Sequence, residues 1–199
     1  MTQAIRKRKA RSPVPVRTQV LATALHLFTG HGYFHTTVHD IGREAHISIG
    51  AIYHHFQNKE EIARALFVEL VKRMGSAFDA IEADHAGTHD RCRAIVALLF
   101  RITEEEPEVM TYMLHARHRE FITGGNPVCS SKPFMQMRMM VKKGIETGEV
   151  QRMDPMVAAS VLFGGPMRLI ALRLDGLLAN PLPNYLDEVW MAAWRAVAA

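Results

Sequence analysis

Side chains that could bind a nucleic acid are concentrated between residues 37 and 59 of the sequence. Hydroxyl, imidazole and ammonium groups there can hydrogen-bond to phosphates or to base edges, and small residues among them would let a backbone approach a large ligand closely. We expect base-edge approach from Ser48, Gly50, Ala51 and His54, and phosphate binding from Thr37, Tyr53, His55 and Lys59.

No catalytic pattern accompanies these residues. The sequence contains no evident nucleophile motif, phosphate-binding glycine loop or pair of carboxylates at a useful spacing. We therefore predict no catalytic residue and no enzymatic activity.

Eleven histidines raise the separate question of a metal site. The spacing of His31, His35 and His39 would align them on an unbroken helix, but a glycine and a predicted loop interrupt that helix. His115 and His118 lie one helical turn apart near two arginines, where a solvated helix end is the more ordinary interpretation. We expect no metal and no cofactor.

Apolar spacing around the polar residues predicts two short helices joined by a tight turn. The first should cover residues 38–45, with apolar side chains at i, i+3 and i+7 on its inward face. Ser48 is suited to cap the second helix, which should begin at Ile49. Ile52 and Phe56 would seal that helix against the first and leave its polar flank outward. This arrangement is a helix-turn-helix, which makes DNA the expected partner.

Eleven residues of this region follow the motif of a known family. They are Thr37, Ile41, Ala45, Ile47, Ser48, Gly50, Tyr53, Phe56, Lys59, Glu60 and Ile62. On them the sequence resembles the DNA-binding domain of the TetR (tetracycline repressor) family of bacterial transcriptional regulators. Two positions depart from the pattern: Gly42 replaces the usual alanine, and His46 stands where glycine is common because a left-handed backbone strains other residues.

The resemblance implies an all-α fold, with a three-helix DNA-binding head and a larger helical domain for ligand binding and dimerisation. It implies a transcriptional regulator, more often a repressor, that binds a near-palindromic DNA operator as a homodimer and is released by a small apolar or amphipathic ligand. A ligand-responsive activator and a ligand-independent DNA-binding protein are alternatives, and a helical enzyme is a weaker one. The expected divisions are a disordered basic arm over residues 1–15, the head over 16–58 and the body over 59–199.

Charge is distributed unevenly along the chain. Residues 1–64 contain nine lysines and arginines against four acidic residues, a net charge of +5, whereas the remainder carries −1. Five of the basic residues lie within residues 6–11, in a segment with two nearby prolines and no apolar run. We expect this arm to be unfolded in free solution and to follow the DNA backbone or enter the minor groove. A merely solvated tail would carry the same charge, but the helix-turn-helix favours DNA.

The sequence also bears on where the protein resides. The first residues lack the hydrophobic segment of a secretory signal peptide, and two arginines and a Gly-Gly-Pro interrupt the longest apolar stretch, residues 157–174. Two cysteines are too few for a disulfide framework and fit a reducing compartment. We expect no membrane association and a cytoplasmic protein that is nucleoid-associated when bound to DNA.

Helix-spaced apolar sets recur from residue 16 onward, without sustained alternation of the kind that strands show. A helix over residues 16–31 should complete the head. Asn58 and Glu61 should form a capping box for a long helix over residues 59–83. Pro166 should kink or break the helix in which it lies. Further helices are expected over residues 90–105, 107–119, 155–174 and 182–197, the third of them capped by Asp154. One more helix should follow a cap at Ser130 or Ser131, with Pro133 in its first turn, and end near residue 148.

The family resemblance implies a small-molecule pocket in the body, between the long helix over residues 59–83 and the helices after it, and soft apolar side chains there bear on its polarity. Methionines are suited to an adaptable pocket, although they fill irregular cores equally well. An acidic or polar end of the ligand is expected near Arg117 or His118. The candidate pocket residues are Phe100, Met110, Met113, Leu114, Arg117, His118, Phe121, Phe134 and Met137.

Two tryptophans on the last predicted helix indicate a further contact surface. Large indoles four residues apart would be costly in water, so they either pack within their own subunit or meet a second one. The resemblance implies a four-helix interface made from the last two helices of each subunit. The candidate interface residues are Val161, Gly164, Gly165, Arg168, Leu186, Trp190 and Trp194.

Overall fold

Helices make up the regular structure of residues 14–115 and 132–199, the residues that the computed structural model describes, apart from one isolated antiparallel bridge between Val150 and Ala198. The predicted all-α fold is confirmed. The α-helices are α1 Val16–Gly30, α2 Val38–Ala45, α3 Ile49–His55, α4 Lys59–Asp84, α5 Thr88–Glu105, α6 Pro107–His115, α7 Lys132–Thr147, α8 Pro155–Leu174 and α9 Leu186–Arg195, and a 3-10 helix, Leu182–Tyr185, precedes α9.

Helices α1, α2 and α3 pack around one apolar centre. The apolar stripe of α1, formed by Val20, Ala24, Leu27 and Phe28, is buried there with the side chains of Ile41 and Ile52. The Gln19 side-chain amide donates to the carbonyl of Ala45 over 2.9 Å, which ties α1 to the end of α2. This packing fixes the position of α3 relative to the rest of the protein.

Helix α4 continues from this head into the remainder of the chain. Its buried stripe runs from Ile62 near the head to Phe78 near its far end. The Asn58 carboxamide oxygen accepts the Glu61 backbone N–H at 2.8 Å, as predicted for a cap. The reciprocal bond of the predicted capping box is displaced by one residue, because the Glu61 carboxylate accepts from the backbone N–H of Gln57 at 2.6 Å.

Helix α5 begins at Thr88, two residues before its predicted start. The carboxylate of Glu149 accepts the Thr88 backbone N–H at 2.9 and 3.1 Å and so caps the helix from a distant part of the chain. Burial raises the pKa of Glu149, but hydrogen bonds from Thr88 and His89 outweigh it and hold the pKa below its usual value. A Cβ on Gly144 would lie 2.7 Å from the Thr88 side chain, so α7 reaches this position only with glycine.

Helix α8 continues through Pro166, so a break there is wrong, whereas the alternative, a kink, stays a prediction. Pro166 is buried between neighbouring helices, whose packing holds the path of α8 despite the missing backbone donor. The predicted cap is confirmed, since the Asp154 carboxylate accepts the Met156 backbone N–H at 2.8 Å. By length and composition alone α8 could cross a membrane, with 20 residues and a mean hydropathy of 1.5. Here it packs against α7 and α9.

An ion pair anchors the end of α8. The Arg173 guanidinium donates two hydrogen bonds of 2.9 Å to the carboxylate of Glu104 on α5, and this pairing lowers the pKa of Glu104. Glu104 also accepts the Leu182 backbone N–H at 2.8 Å. One carboxylate therefore joins α5, α8 and the 3-10 helix.

Trp190 on α9 is 2% exposed and lies inside its own subunit, so its predicted place in a dimer interface is wrong. Its indole N–H donates to Nε2 of His89 on α5 over 2.9 Å, and the two rings meet edge to face. Trp194 is half-buried and stacks on Trp190. The sequence did not indicate His89 as the acceptor for Trp190, because the two residues are 101 positions apart in the chain.

Candidate nucleic-acid interface

Both residues that depart from the family pattern lie where α2 meets α3: Gly42 is inside α2, and His46 is in the turn that follows it. His46 has φ 54° and ψ 38°, the left-handed conformation in which glycine is common. A Cβ on Gly42 would lie 2.8 Å from the Ile49 side chain and 3.1 Å from the carbonyl oxygen of Ile47. The glycine that replaces the usual alanine therefore makes room for Ile49 at the start of α3.

Helix α3 is anchored on one side and open on the other, as predicted. Ile52 is 0% exposed and Phe56 is 3% exposed, so both side chains seal the helix against the head. The exposed side chains are those of Tyr53, His54 and His55, whereas Gly50 exposes a bare backbone. An α-helix held in this way can lie along the major groove of DNA.

The first turn of α3 also fits close approach to DNA. The Ser48 hydroxyl accepts the Ala51 backbone N–H at 3.2 Å, which confirms the predicted cap. Ser48 remains exposed and Ala51 is half-buried. The free N–H groups of this turn and the absence of bulk at Gly50 leave space for a base edge or a phosphate.

Thr37 is fixed at the start of α2 by a reciprocal hydrogen-bonded box. Its hydroxyl accepts the Asp40 backbone N–H at 3.1 Å, and the Asp40 carboxylate accepts the Thr37 backbone N–H at 2.9 Å. The Thr37 hydroxyl also donates to the Asp40 carboxylate over 2.6 Å, and this bond, together with that from the Thr37 backbone N–H, lowers the pKa of Asp40. Thr37 is exposed, so its orientation is set before any ligand arrives.

Lys59 lies at the start of α4 and is half-buried against Tyr33. Its ammonium donates to the Tyr33 carbonyl oxygen over 2.9 Å and stands 4.3 Å from the centre of the ring. The Tyr33 hydroxyl in turn donates to Glu60 at 3.1 Å. An ammonium group has three donors, so two remain for a phosphate.

The basic character of the amino-terminal third comes from its first residues. Between residues 14 and 64 four basic residues balance four acidic ones, so the whole excess lies in residues 6–11. Arg17 pairs with Glu69 at 3.0 Å, and Arg43 pairs with Asp40 at 2.6 Å. The predicted arm itself lies outside the described residues, apart from residues 14 and 15.

The predicted dimer-interface and pocket residues differ in exposure and in whether the structure describes them. Val161, Gly164, Gly165 and Arg168 are exposed on α8, and Leu186 is half-buried. Met110, Met113, Leu114, Phe134 and Met137 line a small cavity, whereas Phe100 is fully buried away from its lining. Arg117, His118 and Phe121 lie outside the described residues.

No group of three or more His, Cys, Asp or Glu within residues 14–115 and 132–199 is placed to hold a metal.

Two features of the interface were not predicted from the sequence. Gln19 holds the end of α2, and the Arg17 guanidinium lies 5.8 Å from the centre of the Phe56 ring beneath α3. Both contacts join residues far apart in the chain, and no local pattern signals such pairs.

The sequence analysis also omitted a residue of the candidate dimer interface. Val157 is 53% exposed on α8 and extends the stripe of Val161, Gly164 and Arg168 by one turn.

Comparison with known proteins identifies the head. The family described as "Bacterial regulatory proteins, tetR family" matches residues 20–66. An uncharacterized HTH-type transcriptional regulator, YhgD of Bacillus subtilis, is 28% identical over 150 residues, which cover 72% of this chain and 76% of that protein.

Solved structures share the fold over nearly the whole chain. A TetR family transcription regulator from Marinobacter aquaeolei superposes with a TM-score of 0.76 and 21% identity, covering 92% of this chain and 95% of that one. The transcriptional regulator FadR from Bacillus subtilis, in complex with stearoyl-CoA, has a TM-score of 0.73 and 19% identity, covering 88% and 96%. Residues 20–66 therefore match the tetR family of bacterial regulatory proteins, and the fold of the chain is that of solved TetR family regulators.

Proposed function

We propose that this regulator is a repressor that binds a near-palindromic DNA operator as a homodimer, with one copy of α3 in each of two successive major grooves. The observation that carries the proposal is the geometry of α3, whose polar flank is exposed while Ile52 and Phe56 fix the helix from behind. His54, Gly50, Ala51 and Ser48 approach base edges, and Thr37, Tyr53, His55 and Lys59 hold phosphates.

The arm over residues 1–15 supplies most of the charge for this binding. Its five basic residues follow the backbone or enter the minor groove, and they make affinity strongly dependent on salt. The head over residues 16–58 then supplies sequence discrimination. The body over residues 59–199 sets the separation of two heads, and the protein acts in the cytoplasm, at the nucleoid when bound.

A dimer follows from the geometry of DNA. Half-sites on one face of a duplex are about 34 Å apart, and a single head binds weakly with little discrimination. The exposed stripe of α8 formed by Val157, Val161, Gly164 and Arg168 is the face we assign to the second subunit, together with Gly165, Leu186 and the rim of Trp194. Gly164 and Gly165 let the α8 helices of two subunits approach closely, because glycine carries no side chain.

Release by a ligand would act through α4 and α6. Tyr112 on α6 stacks on Phe28 of α1 with ring centres 6.4 Å apart, and its hydroxyl donates to the Ala63 carbonyl of α4 over 3.0 Å. A ligand that moves α6 therefore also moves α1, which is part of the head, and α4, which continues from it. To switch nearly all molecules, it must prefer the non-binding spacing by about 5 kcal/mol. The stearoyl-CoA held by the FadR relative supports an amphipathic compound as the ligand.

Selection from a library of random DNA duplexes tests this function. The full-length protein should enrich two inverted half-sites whose centres lie about one helical turn, or a multiple of one, apart. A variant with Tyr53→Ala and His54→Ala leaves Ile52 and Phe56 in place and should enrich nothing above background. Enrichment by that variant equal to the unaltered protein would contradict recognition by α3.

A ligand-responsive activator would use the same head, and transcription measured from the selected site discriminates the two. Repression predicts less transcript when the protein is added and recovery of transcript when the ligand follows. An increase in transcript on adding the protein would favour activation.

A further inference from the structure

A groove between α7 and α8, which shares Gly164 with the proposed dimer stripe at its edge, has the chemistry of a ligand site. Its volume is about 290 Å³, near the lower end of the range for small-molecule sites. The lining is mostly apolar and includes the side chains of Met137, Met156, Phe163 and Met167. Among the residues that the structure describes, Arg138 and Ser160 are the polar members of this lining, and none of its members is acidic.

Arg138 is a partly desolvated cation with no anionic partner among the described residues. It is half-buried, and its guanidinium forms no hydrogen bond or ion pair with any residue in 14–115 or 132–199. The other half-buried arginines of these ranges are all bonded: Arg91 donates to the His85 carbonyl, Arg93 pairs with Asp187, and Arg173 pairs with Glu104. A planar guanidinium at the edge of an apolar groove is suited to bind a carboxylate through two parallel hydrogen bonds.

A wall of flexible side chains separates the groove from a cavity in the interior of the body. Phe134, Met137 and Met167 line both the groove and an inner cavity of about 20 Å³, which has room for about one water molecule. The inner cavity is bordered by Met74 of α4 and Met110 of α6. Methionine side chains repack easily, so an apolar tail that displaces them would extend from the groove toward α4 and α6.

We propose that this groove binds an amphipathic anion with a single acidic head and an apolar tail, and that Arg138 binds the head. The assignment rests on the proposed ligand-responsive function. The proposal places the acidic head of the ligand beside Arg138 of α7, whereas the sequence predicted it near Arg117 or His118. The tail, directed past Met137 and Met167, reaches the two helices that contact the head.

Direct binding to the full-length protein, without DNA, tests the proposal. The probes are decanoate and 1-decanol, used below the concentration at which either aggregates. The protein should bind decanoate by calorimetry, and Arg138→Gln should weaken that binding roughly tenfold to a hundredfold, as for the loss of a charge-assisted hydrogen bond. Binding of 1-decanol should not differ between the two proteins. Lys143→Gln removes the same charge from an exposed position of α7 outside the groove and should change neither affinity.

Methionine methyl resonances report where the probe lies. With methyl-labelled methionine, decanoate should shift the signals of Met137 and Met167, each identified by its leucine variant. Met135 and Met139 line a different groove and should not shift. Absence of decanoate binding, equal binding by Arg138→Gln, or shifts at Met135 and Met139 alone would overturn the proposal. Because no DNA is present, none of these results bears on operator binding, which the duplex selection tests separately.

Discussion

The indole nitrogen of Trp190 and Nε2 of His89 are 2.9 Å apart and joined by a hydrogen bond within one subunit. An indole N–H can only donate, so Nε2 of His89 accepts and its ring proton lies on Nδ1, 2.8 Å from the carboxylate of Asp90. Asp90 has a lowered pKa for this reason. Trp190 therefore serves the core of its own subunit, and a second subunit must use another surface.

The exposed stripe of α8 gives the first prediction. Val157→Glu combined with Val161→Glu should produce a monomer with unchanged helical circular dichroism, because two carboxylates would be buried without partners at the proposed interface. Sedimentation velocity measures the oligomeric state. Val68→Glu, at a similarly exposed valine on α4, is the matched control and should remain dimeric. An intact dimer in the double variant would refute this interface.

The box between Thr37 and Asp40 gives the second prediction. Thr37→Ala should lower the free energy of unfolding in urea by about 1 kcal/mol through loss of the helix cap, and Thr37→Ser should retain most of it. Thr37→Ala should also weaken DNA binding, because a phosphate ligand is removed.

Asp40→Asn separates the two roles of the box. It disturbs the same cap but keeps the hydroxyl, and it removes a negative charge near the proposed phosphates. Its DNA affinity should equal or exceed that of the unaltered protein. If Asp40→Asn and Thr37→Ala weaken DNA binding equally, Thr37 acts through the cap alone.

Lys59 gives the third prediction. Lys59→Ala should weaken binding to every DNA sequence and reduce the slope of log affinity against log salt by about 0.9, the value of one phosphate contact. Lys72→Ala, at an exposed position of the same helix, is the control and should leave the slope unchanged. If Lys59→Ala lowers the free energy of unfolding but leaves the salt slope unaltered, Lys59 stabilises the head through Tyr33 and does not bind a phosphate.

The contact between α1 and α6 gives the fourth prediction, a dependence on pH. Nδ1 of His26 lies 2.7 Å from the Glu108 carboxylate, and this hydrogen bond raises the pKa of His26 above its usual value of 6.5. The folded state thus binds this proton more tightly than the unfolded state does. The resulting stabilisation is full below the unfolded pKa and is lost as pH rises through the raised value.

Urea unfolding between pH 5.5 and 8.5, a range that begins about a unit below the ordinary histidine pKa of 6.5 and extends about two units above it, measures this effect. The difference in stability between the unaltered protein and His26→Ala should shrink as pH rises. Glu108→Gln should show the same loss, whereas His31→Ala, at an exposed histidine beside α1, should not. A difference that is constant across the range would exclude the pair as its source.

Local signals in the sequence were sufficient for the helices and for the recognition region. Asp154 followed by proline, Ser48 before Ile49 and the apolar pair Ile52 and Phe56 each act within one or two helical turns, so the sequence specifies them directly. The left-handed turn at His46 was also predictable, because the family motif places glycine there.

Contacts between distant parts of the chain were not predictable. Glu149 extends α5 by capping it from 61 positions away, and His89 draws Trp190 into the core. Neither partner carries a local pattern that would reveal the other. Pro166 remained inside α8 because packing on both sides outweighed a local preference, which one sequence cannot weigh.

Base preference at the selected operator tests recognition by α3 most directly. Affinities of the unaltered protein and of His54→Ala should be measured for duplexes in which each base pair of one half-site is changed in turn. We predict that His54→Ala loses about 1–3 kcal/mol of discrimination at one base pair and keeps it at the others. Identical preferences for the two proteins at every position would contradict the placement of α3 in the major groove.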